Sequence, residues 1–372
     1  MRIEEYKDDI YTCNRSRCGF CREACPTYQE MGFESYSSRG RMLIARGLLE
    51  GVLEPSKELL DCVNLCATCG YCQSRCALRN VEVFEALRAD LVEQGFKDEY
   101  HERAVEEIKR NGNPYLKPRN ERAAWADGVP FSKDADTLLF AGCTYPYIFP
   151  DWLKSSAKLL IDGGLELNYL GNEENCCGSL MLTTGFLDDF TENGEENLHA
   201  FREAGVKRII TGCPGCYKIL AEDYPKHFEN FDIEVEHITQ VVARMLDEGK
   251  INPSKPVEAI VTYHDPCHLG RHMRVFEEPR KILESIPGLE LREMENNRFD
   301  AKCCGAGGGM MAAYPEIAVK IAEKRVKEAE ATGAEMLVTI CPICEFNFER
   351  AIRYSDSPIK LVDLMELLKE SL

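Results

Sequence analysis

No apolar run in this 372-residue chain approaches the roughly 18 residues that cross a bilayer, so no direct membrane span is expected. The opening stretch, MRIEEYKDDI, is acidic and has neither the basic nor the apolar region of a secretory signal. The expected localisation is cytoplasmic, with attachment to the inner face of a membrane only through a partner. Positive charge is scarce. Against 63 Asp and Glu stand 45 Lys and Arg, and the net charge of -18 speaks against non-specific binding of nucleic acid or anionic lipid. It leaves room for pairing with a basic patch on a partner. A nucleotide or flavin fingerprint is also missing, because GAGGGMM at 305–311 follows a vicinal cysteine pair and lacks the strand-then-GxGxxG context. Any flavin therefore belongs to a partner.

What the chain has in quantity is cysteine, 19 residues, and without an export signal these argue for a reducing compartment and for metal in place of disulfides. Ten of the 19 are spent on one pattern written twice. Cys143, the pair Cys176-Cys177 and Cys213-Pro-Gly-Cys216 form the first copy. Cys267, the pair Cys303-Cys304 and Cys341-Pro-Ile-Cys344 form the second. A single tetrahedral zinc takes four ligands, often from two C-x2-C elements. Each unit here offers one C-x2-C, two adjacent cysteines and a distant fifth. Neighbouring side chains on an extended segment point apart, so both thiolates of a vicinal pair serve one centre best when that centre has several metal atoms. Iron and sulfide assembled into a cluster meet this requirement. Thiols merely packed in a core would not repeat at matched spacing.

Two further runs precede the repeat, Cys13-x4-Cys18-x2-Cys21-x3-Cys25-Pro26 and Cys66-x2-Cys69-x2-Cys72-x3-Cys76. The second has bacterial ferredoxin spacing, in which three close cysteines hold one cubane and the fourth reaches the other. On that logic Cys13, Cys18, Cys21 and Cys76 hold one cubane, and Cys66, Cys69, Cys72 and Cys25 hold its partner. Two features depart from the pattern: the extra residues after Cys13, and Ala77 in place of proline. Cys62 is a ninth thiol, one helical turn before Cys66, and reads as buried and unligated, with substitute ligand as the alternative.

Residues 38–50 carry apolar residues at helical spacing, Pro55 and Ser56 open another helix, and 82–110 read as charged amphipathic helix. The stretch 111–136, with Pro114, Pro118, Gly128 and Pro130, has neither period and reads as a linker. Beyond it strands and helices alternate, with strands expected at 137–141, 165–170, 208–211, 259–263, 289–294 and 336–340 and helices including 198–204 and 317–331. Such alternation predicts parallel sheets with ligands beyond the carboxyl ends of the strands. The expected fold class is α+β multidomain: an all-α ferredoxin-like domain (1–110), a linker (111–136) and two pseudo-repeated α/β parallel-sheet domains (137–255 and 256–372). Gly178, Gly305, Gly307, Gly308 and Gly309 follow the vicinal pairs, where backbone would pass close to a bulky cluster or simply turn.

The strings C-x32-CCG-x34-C-x2-C from Cys143 and C-x35-CCG-x35-C-x2-C from Cys267 resemble the cysteine-rich CCG domains of heterodisulfide reductases. HDPCHLGR, at 264–271, is similar to the family's text, and the whole layout resembles that of the D-subunit family of those enzymes. The resemblance implies two cubane and two non-cubane [4Fe-4S] clusters, the latter on the ten repeated cysteines, which thereby become catalytic, and about sixteen iron atoms in all. It implies reduction of a mixed disulfide of the coenzyme M–coenzyme B type. The two cubanes would feed two facing clusters, each supplying one electron. Such an anionic substrate needs cations, and His268, Arg271, His272 and Arg274 form the densest basic stretch beside an expected ligand. His268 and Arg271 are accordingly expected to contact substrate, with a solvated helix start as the alternative. His264 and His268 are either cluster ligands or donors to cysteine sulfur, and the sufficient cysteine count favours donors. The implied electron donor is a membrane b-type cytochrome, a flavoprotein or a hydrogenase module. The alternative function is a pure carrier, the iron–sulfur subunit of a flavin-linked lactate, glycolate or glycerol 3-phosphate dehydrogenase or of a membrane respiratory complex.

Overall fold

The computed structural model describes residues 1–372 and begins with helices only. The longer ones are α1 (Lys7–Ser16), α2 (Ser38–Leu49), α3 (Lys57–Asn64), α4 (Asn80–Glu93) and α5 (Glu99–Asn111). Three starts are capped by side chains that accept otherwise free amides: Ser37 from Gly40, Ser56 from Leu59, and Asp98 from Tyr100 and His101. Ile10, Met42, Leu60, Val63, Phe84 and Leu87 close into one apolar core. Each such burial contributes on the order of 1.5–3 kcal/mol, so apolar packing holds these helices together. The cysteine runs occupy the short turns around Cys21–Ala24 and Tyr71–Ser74 at the edge of that core.

Two parallel sheets follow. The first contains β1 (Thr137–Phe140), β2 (Arg208–Thr211) and β3 (Glu234–His237) in the order β1-β2-β3, with α6 (Pro150–Asp162), α7 (Leu187–Glu203) and α8 (Ile238–Asp247). The second contains β4 (Ala259–Tyr263), α9 (Glu277–Glu284), β5 (Leu289–Leu291), α10 (Pro315–Glu330), β6 (Met336–Thr339), α11 (Pro342–Tyr354), β7 (Lys360–Asp363) and α12 (Leu364–Glu370). Its strand order is β5-β4-β6-β7. The α+β class expected from the sequence is the class observed.

The strand expected at 165–170 does not form. Only Asn168 bridges Leu138, after which the chain turns into the short helix Gly171–Glu173, so the first sheet lacks the strand that β5 supplies to the second. Strands β3 and β7 were not expected, since EVEH and KLVD are short edge segments with polar outer residues. The stretch 111–136 is not a free tether. It contains a helical turn at Arg119–Ala126, Trp125 enters the core shared by both halves, and fully buried Arg122 pairs with Glu174 at 3.1 Å.

Leu139, Ile210 and Val241 from one half share a core with Val261, Val338 and Leu364 from the other. Arg88 on α4 joins all three parts. Its buried guanidinium donates to the carbonyls of Val63 (2.8 Å), Cys66 (2.7 Å), Thr183 (2.6 Å) and Gly308 (3.1 Å). Gly308, at φ 59°, lies so close to the helical region that a Cβ there would meet the Cys66 carbonyl at 2.4 Å. The glycines after the second vicinal pair therefore allow this seating against protein backbone, which is the close approach their sequence position suggested only for a cluster.

Candidate metal centres

The N-terminal cysteines separate into two groups. Burial, followed by the thiolates of Cys21, Cys76 and Cys18, pushes Cys13 up to about 12, which places those four together. Burial and then Cys66, Cys69 and Cys25 hold Cys72 well above the usual thiol range, which gathers the other four. The chain thus brings Cys76 to the first run and Cys25 to the second. Cys18 alone among the 19 cysteines is exposed, and its thiol is lowered by backbone amides, first that of Phe20. The inner group is lined by buried Arg41, whose Nη1 lies 3.9 Å from the Cys25 sulfur while Nε donates to the Cys62 carbonyl at 3.0 Å. Cys62 itself is half-buried.

In each C-terminal half the cysteines lie past the carboxyl ends of β1 and β2, or of β4 and β6, as parallel topology requires. Cys176 approaches Cys143 at 3.5 Å, and hydrogen bonds from Cys176 and then Cys216 lower Cys177 to about 6. Cys344 donates to Cys304 at 3.2 Å, and Cys303 lies against Cys267, Cys304 and Cys69. The contact with Cys69 crosses between regions, and it lowers Cys69 to about 6. The two halves also meet. Helix Pro214–Lys218 packs on the turn His268–His272, and the Cys213 thiolate helps to raise Cys341. The sulfur groups thus form a continuous series from Cys18 at the surface to Cys143 in the first half.

The basic stretch after Cys267 packs against the N-terminal helices. Arg271 is buried and donates to the carbonyls of Cys69 (2.8 Å), Phe299 and Ala301, so its guanidinium pins the second half to the N-terminal helices. His272 contacts the Thr68 carbonyl at 3.0 Å and Arg274 stacks over Phe299. His268 is held neutral by burial, which lowers it to about 4. A cavity of about 410 Å³ reaches Cys303 from another side, lined by Lys302, Lys324, Arg325, Glu23, Gln29 and Tyr71 among others. Lys324 pairs there with Glu30 at 2.6 Å. His264 stands with Cys304 and Cys344, their ligand atoms within 4.8 Å of one another. Arg41, Arg88 and Arg325 were missed at the sequence level, because a lone arginine on an amphipathic helix reads as solvated.

These residues suit polynuclear iron. Buried thiols in mutual contact oppose one another's ionisation, and a cationic cluster relieves both burial and repulsion. Several buried polar atoms beside the second group have no hydrogen-bond partner, among them Nε2 of His264, Nη2 of Arg271 and Nη2 of Arg325. Cluster sulfides would accept from such donors.

The sequence matches the family described as a 4Fe-4S dicluster domain over residues 9–80, and that described as a cysteine-rich domain over 137–221 and again over 261–349. It is 35% identical to the D-subunit of the dihydromethanophenazine:CoB–CoM heterodisulfide reductase of Methanosarcina barkeri, over 96% of this chain and 93% of that protein. It is 32% identical to the B-subunit of the fumarate reductase (CoM/CoB) of Methanothermobacter marburgensis, over 99% of this chain and 74% of that one. The probable glycolate oxidase iron-sulfur subunit of Bacillus subtilis is 27% identical, over 99% of this chain and 96% of that protein.

Proposed function

This chain belongs to the D-subunit family of heterodisulfide reductases, and on that footing we propose that it is the catalytic iron–sulfur subunit of a complex that reduces a mixed disulfide of the coenzyme M–coenzyme B type. The reaction is RS–SR′ + 2 e⁻ + 2 H⁺ → RSH + R′SH. The S–S bond breaks, each sulfur gains one electron, and each product thiolate gains one proton. Iron–sulfur clusters on the assigned cysteines supply the one-electron chemistry.

The reading rests on the unbroken order of the sulfur groups. Cys13, Cys18, Cys21 and Cys76 hold the outermost cubane, where exposed Cys18 marks the side at which a donor docks. Cys25, Cys66, Cys69 and Cys72 hold the inner cubane, and Cys69 adjoins Cys303 of the second C-terminal centre. The ten repeated cysteines hold two non-cubane clusters, with Cys213 and Cys341 on the sides that approach each other. Lys302 and Lys324, lining the cavity at Cys303, suit a substrate bearing sulfonate, phosphate or carboxylate groups. Arg271 donates to backbone carbonyls through Nε and Nη1, which positions the N-terminal region, and leaves Nη2 without a partner. Neutral His268, between the halves, is available as a hydrogen-bond donor to substrate. No helix is long and apolar enough to cross a membrane, and a b-type cytochrome, flavoprotein or hydrogenase module supplies the electrons.

Purified protein with its full iron content is assayed with reduced viologen dye and the mixed disulfide, and turnover to two thiols is expected. Absence of turnover with all clusters spectroscopically intact would remove the catalytic reading. It would leave the second reading, an electron carrier serving a flavin-linked dehydrogenase, which is supported by the full-length match to a glycolate oxidase iron-sulfur protein.

A further inference from the structure

The halves place five cysteines on the same frame and surround them differently. Three residues before the first cysteine of each unit stand Phe140 and His264, and 21 residues after each vicinal pair stand Leu198 and Arg325. Phe140 and Leu198 pack with Cys176 and Cys177 in an apolar cluster. His264 and Arg325 instead form a buried polar pair, Arg325 Nε donating to His264 Nδ1 at 3.2 Å. Glu328 forms an ion pair with the arginine at 2.8 Å. A guanidinium has no acceptor, so Nδ1 must present its lone pair and the ring's proton sits on Nε2. That nitrogen has no hydrogen-bond partner of any kind within the protein, while the ligand atoms of His264, Cys304 and Cys344 lie within 4.8 Å of one another.

We propose that His264, oriented by Arg325, donates its Nε2 proton as a hydrogen bond to the sulfur ligands of the second C-terminal centre and so makes that centre easier to reduce than the first. A donor to thiolate sulfur stabilises the more electron-rich state of an iron–sulfur site, whereas apolar surroundings disfavour added charge. A cluster held at the second centre would therefore be reduced ahead of one held at the first. No bond is made or broken in this step; one electron arrives from the external reductant through the cubanes. The adjacency of Cys69 and Cys303 puts the supply at that same centre. The inference rests on both cysteine sets holding iron–sulfur centres and is independent of which disulfide, if any, is the substrate. His264 acts as a positioning residue for charge, not as a ligand.

The test is a potentiometric titration of the metal-loaded full chain followed by electron paramagnetic resonance, with Cys304→Ser used to identify the second centre's signal. Wild type should show two separated midpoints for the C-terminal centres, the higher belonging to the second. His264→Phe should lower that midpoint and leave the first centre and the cubanes in place. His264→Gln, which keeps an N–H donor, should restore most of it, and Phe140→His should raise the first. A single shared midpoint in wild type, or a second-centre midpoint unmoved by both His264→Phe and His264→Gln, overturns the inference. If His264→Phe loads no metal, Phe140→His decides, and an unmoved first centre counts against it. Iron well below about sixteen atoms in wild type breaks the underlying cluster assignment instead.

Discussion

The first C-terminal half ends its sheet with His237 and the second with Asp363, and the two caps respond to protons in opposite ways. His237 caps α8 by accepting from the Thr239 amide and contacts the Gly212 carbonyl at 3.1 Å; burial lowers it to about 3. Asp363 caps α12 by accepting from the Met365 and Glu366 amides and receives the Tyr145 hydroxyl at 3.2 Å; burial raises it to about 6. After the C-x2-C, Tyr217 faces His237, whereas Glu345 lies beside Asp363 and burial pushes its carboxyl well above the usual range. The shared frame demands cysteines at the strand ends and a cap on the following helix, and it tolerates any chemistry that provides them. The surroundings of each centre were therefore free to diverge.

The strongest way to break this comparison is to remove one centre at a time. Cys177→Ser and Cys304→Ser should each abolish one C-terminal signal and lower iron by about four of about sixteen atoms, with cubane spectra unchanged. Metal analysis and low-temperature spectra read this directly, and loss of both signals from either variant would show that the halves do not load independently.

The caps come next. His237 has its folded value depressed, so its contribution is present above pH 6.5 and is lost as pH falls towards 3, about 5 kcal/mol in all. In His237→Asn denaturant midpoints measured over that range should lose this acid-side slope. Asp363 has its folded value raised above 3.8, so its contribution is present below pH 4 and is lost as pH rises through 6, about 3 kcal/mol. Asp363→Asn keeps the cap and should flatten that limb only. Parallel slopes in the two variants would erase the distinction between the halves.

A comparable effect is expected from the buried ion pairs. Arg280 binds Asp265 through two bonds of 2.8 and 2.9 Å in the second half, and Arg280→Met should cost about 3–5 kcal/mol by stranding the carboxylate. Arg122→Met should cost less below pH 7, because burial already raises its partner Glu174 to about 7 and the carboxyl can take a proton. Equilibrium unfolding at pH 6 and pH 8 separates the two cases, and equal losses at both pH values would contradict it.

Much of the architecture was readable because metal ligation and sheet topology both leave periodic marks. Matched spacing from Cys143 and Cys267 exposed the duplication. Segments with weak local signals were misread. Residues 165–170 have strand composition but only one bridging residue at a sheet edge, and the aperiodic stretch 111–136 hides Trp125 and Arg122, whose partners lie far along the chain. Arg271 lies beside a cysteine in a basic run, and its bonds to the carbonyls of Cys69, Phe299 and Ala301 are ones that no spacing reveals.

The amino-acid order by itself determined which cysteines recur as sets and at what separations, because thiolate ligands must recur at separations that strand, turn and helix can bridge. Only the tertiary structure decided how those groups follow one another, which of them meets the N-terminal region, and what surrounds each. Those outcomes depend on contacts such as Arg88 with Gly308, Cys69 with Cys303 and Arg325 with His264. Such contacts join residues distant in the chain, and their energies come from burial and direction, which no local pattern encodes.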